Sequence, residues 1–215
     1  MERLPALSGA LVELYDLTQP LFAGMPVYPG DPPVSAERVC SHEADGYQVT
    51  QICLGSHSGT HMDAPRHFFA AGATLDQFPV DRFVGPGVLV DCTEAPETAL
   101  AASPPPIGAQ LLKEKLHPHK LPAGCFVLLR TGGRLLSAEA AQLLLDRGAG
   151  LVGTDAPGLD EEPYVIHKLL LGNDVLLVEN LSGLDRITPG RLMCACLPLS
   201  LLGADGAPAR VVVWR

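Results

Sequence analysis

A window of eleven residues holds three histidines and an aspartate, the side chains that bind divalent metals and move protons in enzymes. It reads HSGTHMDAPRH, and the four residues are His57, His61, Asp63 and His67. Their positions all have the same parity, so an extended backbone would project the four side chains to one side. Gly59 and Pro65 oppose a helix interior. The window therefore predicts an extended segment on which the potential ligands converge.

Two imidazoles and a carboxylate are donors suited to Zn²⁺, Mn²⁺ or Fe²⁺, and they leave coordination positions open for water and substrate. Hydrolysis requires such an open position. The alternative is that these polar residues cap turns or lie solvated on a loop. Four such residues in register favour a metal site.

A second pair of candidate residues follows about a hundred positions later. His167 lies on a predicted helix, and Glu179 lies at the end of the strand that follows it. Ligands of α/β sheets gather at the C-terminal ends of strands. Taken alone, both residues are also typical of an amphipathic helix and a solvated strand end.

The composition is that of an acidic globular protein. The chain has 215 residues, 15 Lys and Arg against 24 Asp and Glu, a net charge of −9 and 47% hydrophobic residues. These values suit one domain over residues 1–215, and the lack of a basic block argues against a nucleic-acid partner. No apolar run approaches the roughly 20 residues that span a bilayer, and no signal-peptide core opens the chain. We expect a cytoplasmic protein without a membrane partner.

Short segments rich in Val, Leu and Ile, separated by frequent Gly and Pro, predict a mixed α/β fold with barrel-like β content. Helices are predicted over residues 138–147, with Ser137 as N-cap and Gly148 as C′ residue, and over 163–171. Residues 151–154, 163–171 and 175–178 form a predicted βαβ unit. The predicted strands cover residues 11–16, 47–54, 87–92, 126–131, 151–154, 175–178, 193–198 and 210–214.

Two further features are predicted to be structural. The six scattered cysteines, most of them in apolar stretches, are expected to be buried free thiols rather than metal ligands. Residues 95–106, rich in Ala and Pro, are predicted to form a surface loop.

The segment SHSGTHMDAPRHF resembles the H-x-G-T-H-x-D-x-P-x-H-F signature of the cyclase family of metal-dependent hydrolases, which includes bacterial kynurenine formamidases and isatin hydrolases. The segments YDLTQPLFAGMPVYPGDPP, LLRTG, LVGTDAPGLD, VENLSGLD and LLGADGAPARVVV are similar to further family blocks in the same order. The resemblance implies a swivelling β/β/α architecture with a mixed sheet. It also implies a homodimer or higher homo-oligomer.

The resemblance implies two divalent metal ions per subunit, with zinc favoured and manganese or iron as alternatives. The implied ligands are His57, His61, Asp63, His167 and Glu179. His57, His61 and Asp63 would bind the first ion. Asp63 and Glu179 would bridge to the second ion, which His167 completes. His67 would be the general acid and base, and Tyr28 would contact the substrate.

A bound divalent metal lowers the pKa of its water toward neutrality, so the implied nucleophile is a hydroxide, and His67 would protonate the leaving nitrogen. Neither a G-x-S-x-G elbow nor an electropositive cysteine motif supports a covalent nucleophile. The sequence departs from the formamidases of the family at three places that concern the substrate pocket. Tyr28 replaces Trp, Lys168 replaces a second His, and Gly158 replaces Ser.

Three functions stay open at this point. The leading one is an arylformamidase of tryptophan catabolism that hydrolyses a small-molecule amide, N-formylkynurenine, to kynurenine and formate. The second is an isatin hydrolase-like enzyme that opens a cyclic amide or a lactone. The third is a catalytically silent metal-binding protein.

Overall fold

The computed structural model describes residues 2–5, 11–94 and 104–215. Its strands are β1 (Glu2–Pro5), β2 (Leu11–Asp16), β3 (Ser35–Cys40), β4 (Val49–Cys53), β5 (His61–Asp63), β6 (Val84–Asp91), β7 (Cys125–Arg130), β8 (Ala149–Thr154), β9 (Leu176–Glu179), β10 (Gly190–Pro198) and β11 (Gly206–Trp214). Its helices are α1 (His42–Asp45), α2 (Ala109–Leu116), α3 (Ala138–Asp146) and α4 (Val165–Leu171).

Seven of these strands close into a barrel-like sheet in the order β11-β10-β6-β7-β8-β9-β5, with β5 pairing back onto β11. Strands β6 to β9 are parallel, and β5, β10 and β11 pair antiparallel with their neighbours. Strands β1 and β2 extend the sheet beyond β11, and β3 and β4 form a separate hairpin. The predicted mixed α/β class with barrel-like β content is confirmed.

The parallel strands are buried on both faces, because side chains alternate along each strand between two cores. On β7, Phe126 and Leu128 lie in the core that also holds residues of β5, β9, β10 and β11. Val127 and Leu129 lie in the core formed with α2, α3 and α4. The continuous apolar runs of the sequence follow from this double burial.

Most predicted elements are found near their predicted positions. The Ser137 side chain accepts the backbone N–H of Ala140 at the start of α3, and Gly148 follows with φ +74°. Strands β8 and β9 and the helix between them form the predicted βαβ unit. The predicted start of α4 at residue 163 is wrong, since Tyr164 has φ +56° and the helix begins at Val165. Helix α2 was not predicted, and its N-cap Gly108 has no side chain to signal it.

The prediction of one extended segment over residues 57–67 is wrong. Only His61–Asp63 is a strand, because the segment must turn sharply on either side of it. Gly59 has φ +65°, and Pro65 begins a short 3₁₀ helix over Pro65–His67. The four predicted side chains still converge, but through a turn, a strand and a 3₁₀ helix.

The remaining structural predictions have mixed outcomes. All six cysteines are free, and four are buried, whereas Cys40 is half-buried and Cys53 is exposed on the hairpin. Residues 95–103 of the predicted surface loop lie outside the described residues, and residues 104–106 are exposed. Within the described ranges, the helices are too short or too polar to cross a membrane. The single domain over 1–215, the homo-oligomer and the cytoplasmic location stay predictions.

Candidate metal centre

Strand β5 carries two of the predicted ligands on one face. His61 and Asp63 are two residues apart, so their side chains project to the same side, and both are buried. The strand pairs with β9 so that His61 lies opposite Glu179, and with β11 so that Asp63 lies opposite Gly206. Closure of the barrel therefore brings Glu179, 118 positions away in sequence, to the face of β5.

His57 reaches the same place from the turn before β5. Its Nδ1 lies 2.8 Å from Asp63 Oδ1, and its Nε2 lies 3.0 Å from Asp205 Oδ2. The ring fits because Gly206 has no side chain, since a Cβ there would lie 2.6 Å from the His57 Cε1 atom. Glycine at this strand position therefore makes room for the imidazole.

His61 is held in one tautomer. Its Nδ1–H donates to the backbone carbonyl of Gly59 at 2.8 Å, so the Nε2 atom carries the lone pair of the neutral ring. That Nε2 lies 3.2 Å from Asp63 Oδ1 and 3.5 Å from Glu179 Oε2. A lone pair facing two carboxylate oxygens requires a cation between them, either a proton or a metal ion.

His167 repeats the arrangement from α4. Its Nδ1–H donates to a carboxylate oxygen of Asp160, and its Nε2 lies 2.9 Å from Glu179 Oε1. The other Asp160 oxygen accepts the backbone N–H of Ile166, which fixes the carboxylate against the first turn of the helix. A carboxylate behind a histidine in this way is typical of metal sites, where it orients the ring and raises its basicity.

His67 lies beside this group on the 3₁₀ helix and is about one-third exposed. Its ring centroid lies 3.9 Å from that of His57 and 4.7 Å from that of Phe68. Its Nδ1 lies 3.4 Å from Asp205 Oδ2. Burial lowers the pKa of His67, so its imidazole is neutral near pH 7 and is able to accept a proton.

The carboxylates and imidazoles of the cluster shift one another's pKa values. Burial alone would raise the pKa of the Asp63 carboxyl, but the charges and hydrogen bonds of His61 and His57 hold it well below its usual range. Burial and the nearby Asp63 charge raise the pKa of Glu179. Burial opposes charge on His57 and His167, yet their carboxylate partners raise the pKa of His57 to about 9 and that of His167 to about 10.

Two groups of potential ligand atoms share Asp63. One consists of His57, Asp63 and His67, the other of His61, Asp63 and Glu179, and within each group the atoms lie within 4.8 Å of one another. The donor set of imidazoles and carboxylates fits a divalent cation, which would replace the protons that now separate these lone pairs. The structure thus groups His67, predicted as acid and base, with two predicted ligands.

The cluster forms one wall of a cavity of about 910 Å³. Tyr28 lines this cavity, as do Phe22 and Phe68. The Tyr28 hydroxyl lies 2.8 Å from the Tyr164 hydroxyl, which joins the N-terminal part of the chain to the segment before α4. The ligand candidates therefore open into a space with aromatic side chains in its lining.

The sequence model of one known family matches this chain. The Cyclase model, described as "Putative cyclase", matches residues 15–161, which is more than half of the chain. This chain belongs to the cyclase family. The match confirms the family resemblance of the histidine window and of the segments around it.

Relatives of this cyclase-family chain include a kynurenine formamidase of Bacillus thuringiensis, 32% identical over 94% of this chain and 97% of the relative. "The structure of predicted metal-dependent hydrolase from Bacillus stearothermophilus" is 28% identical, with a TM-score of 0.76, over 95% of this chain and 99% of that one. Isatin hydrolase A from Labrenzia aggregata is 24% identical and shows the same fold, with a TM-score of 0.84 over 94% and 93% of the two chains.

Three residues of the cyclase-family site were not predicted. Asp160 supports His167, Asp205 contacts both His57 and His67, and Tyr164 pairs with Tyr28. Asp160 and Asp205 lie in the segments LVGTDAPGLD and LLGADGAPARVVV, which carry the family resemblance. Their place in these family-like segments was the sequence signal that could have identified both aspartates as site residues. Tyr164 lies outside the quoted segments and had no signal.

Proposed function

We propose that this cyclase-family hydrolase is an arylformamidase that cleaves N-formylkynurenine to kynurenine and formate. The observation that carries the proposal is the group formed by buried His61, His167, Asp63 and Glu179 with partly buried His57, which opens into a cavity with aromatic rings in its lining. The kynurenine formamidase of Bacillus thuringiensis, similar over nearly the whole chain, supports the same substrate class.

We propose that the cluster holds two divalent metal ions, with zinc as the expected ion. The residues that would hold them are His57, His61, Asp63, Glu179 and His167, with Asp63 common to both groups of ligand atoms. Bound there, a divalent metal supplies a water of lowered pKa and polarises the amide carbonyl. Gly59 and Asp160 contribute by holding His61 and His167 with their Nε2 atoms toward the carboxylates.

His67 is the group that we assign to proton transfer. Cleavage of the C–N bond leaves an arylamine nitrogen that must gain a proton, and the neutral His67 ring can accept a proton from water and return it to that nitrogen. Asp205, 3.4 Å from His67 Nδ1, orients the ring. Its contacts with the tilted His57 ring and the edge-on Phe68 ring restrict it further.

The aromatic side chains of the cavity are proposed to hold the aryl group of the substrate. Phe68 lies next to His67, and its ring is also within 5.4 Å of the Tyr164 ring, centroid to centroid. Tyr28 belongs to the same group of aromatic side chains, because its hydroxyl contacts that of Tyr164. An aryl ring packed against these side chains from the cavity would bury apolar surface and place its formamide nitrogen near His67.

The substrate assay uses zinc-loaded protein. Formate release is measured with N-formylkynurenine, and ring opening of isatin and hydrolysis of phenyl acetate are measured beside it. We expect the formamide to have the highest kcat/KM by about tenfold or more, the margin given by a well-fitted pocket. A preference for isatin would replace the formamidase proposal with the ring-opening one. If none of the three substrates is turned over, both proposals are contradicted.

Replacing Asp160 should weaken metal binding without removing a ligand. In Asp160→Ala, His167 loses the carboxylate that holds its Nδ1–H, so we expect the affinity for zinc to fall about 10- to 100-fold. The dissociation constant is measured by competition with a chromophoric chelator. Asp185→Ala, at an exposed position on the 3₁₀ helix Leu184–Arg186, is the matched control and should bind zinc as the wild type does. Equal affinity of the two variants would show that Asp160 has no part in the metal centre.

A further inference from the structure

The charged groups beside the metal centre are carboxylates and histidines. The lining of the cavity, within the described parts of the chain, contains no Lys or Arg. Four carboxylates lie along it: Asp31, Asp63, Asp160 and Glu179. Three of them contact the histidines of the centre. Asp31 differs, because its side chain has no ion pair or hydrogen bond to the residues that the structure describes.

Asp31 is held at the cavity by a tight turn. Its backbone N–H donates to the Tyr28 carbonyl at 3.0 Å, with Pro29 second in the turn and Gly30 third at φ +102°. Proline followed by a residue of positive φ is the pattern of a type II turn, which fixes the directions of its two end residues. Tyr28 is tied in turn to Tyr164 by the contact of their hydroxyls. The turn therefore presents an aromatic ring and a carboxylate on one wall.

We infer that Asp31 binds a primary ammonium group on the substrate. The side chain is half-buried and lines the cavity without a charged partner among the described residues, so an ammonium would supply that partner. Tyr28 and Phe22 also line this cavity, and the faces of aromatic rings attract an ammonium. The other three carboxylates of the lining are occupied by the histidines of the centre, which leaves Asp31 as the carboxylate available to a ligand.

This inference rests on the proposed function and narrows its substrate class. The preferred substrates are aryl formamides with a primary amine on the side chain of the ring. Apart from the metal centre, the described lining offers no Lys or Arg to bind a carboxylate, so we expect the carboxylate of a substrate to contribute less than its ammonium. The cavity therefore recognises the amine of an amino-acid substrate rather than its carboxylate.

Three formamides separate these contributions: N-formylkynurenine, its decarboxylated analogue that keeps the ammonium, and formanilide, which has neither group. The kcat and KM values of zinc-loaded wild type, Asp31→Asn and Asp81→Asn are measured with each. In Asp31→Asn, we expect the kcat/KM ratio of each ammonium-bearing substrate to formanilide to fall about tenfold or more, through KM. Asp81 is exposed on the 3₁₀ helix Val80–Arg82 and lies outside the cavity, so its variant should keep the wild-type ratio.

If Asp31→Asn keeps the wild-type kcat/KM ratio of ammonium-bearing substrates to formanilide, the inference is overturned. An equal fall of kcat/KM with formanilide would also overturn it, because it would indicate a structural role of the turn. In the wild type, a preference above about tenfold for N-formylkynurenine over its decarboxylated analogue would overturn the statement on the carboxylate. If the wild type hydrolyses none of the three formamides, the proposed function itself is contradicted. The ratios of kcat/KM test only the role of Asp31.

Discussion

Asp63→Asn is expected to lose both bound metal and hydrolysis. Asp63 is shared by both groups of ligand atoms, and its Oδ1 contacts His57 at 2.8 Å and His61 at 3.2 Å. The neutral amide is a far weaker ligand than the carboxylate, so neither ion is held. A metal ion contributes several kcal/mol to the stabilisation of the transition state, so formate release should fall by about a thousandfold or more. Metal content by mass spectrometry and formate release are measured on the same sample.

The matched control for this variant is Asp146→Asn, at the exposed end of α3, which should keep wild-type metal content and activity. Circular dichroism and urea unfolding establish that Asp63→Asn is folded, since loss of the fold would also remove the metal. A folded Asp63→Asn protein with two bound ions and wild-type turnover would refute the assignment of Asp63.

His67→Gln is expected to lower kcat while the metal content stays at the wild-type level. Glutamine keeps a polar side chain of similar length but cannot transfer a proton near neutral pH, so the loss should be about 10²- to 10⁴-fold with N-formylkynurenine. With phenyl acetate the loss should be much smaller, because phenolate leaves without needing a proton. The ratio of the two losses measures proton donation to the leaving group.

The same variant decides between the two roles that the structure allows for His67. Its ligand atoms lie close to those of His57 and Asp63, a group that could itself hold an ion. If His67→Gln loses one metal ion per chain, or loses equal activity with both substrates, His67 is a ligand rather than the acid and base.

The histidine window could be identified from the sequence because its donors lie close together, but its local shape could not. Equal parity places His61 and Asp63 correctly, since both lie on β5. His57 arrives through a turn made possible by Gly59, and His67 through the 3₁₀ helix that begins at Pro65. The glycine and proline that excluded a helix also interrupt the strand on either side.

The contacts of the supporting carboxylates could not be derived from sequence patterns, because only tertiary structure brings these residues to the site. Asp205 reaches His57 since β11 pairs with β5, an antiparallel contact between distant segments. A lone aspartate in a glycine-rich stretch carries no periodic signal. Asp160 is similar, because its position before α4 became informative only when the N–H of Ile166 and the His167 ring were seen to share it. Single polar contacts depend on the packed structure, whereas strands and helices follow from patterns over several residues.

We propose that formamide hydrolysis by this protein requires metal bound at the cluster. To test this requirement, zinc is titrated into metal-free protein while bound zinc and formate release from N-formylkynurenine are recorded together. We expect no measurable formamidase activity in the metal-free protein, and activity that rises with bound zinc to a plateau at two ions per chain. Asp63→Asn should show neither the binding nor the rise. Full activity in the metal-free protein, or activation of Asp63→Asn by zinc as in the wild type, would show that hydrolysis does not depend on metal at this cluster.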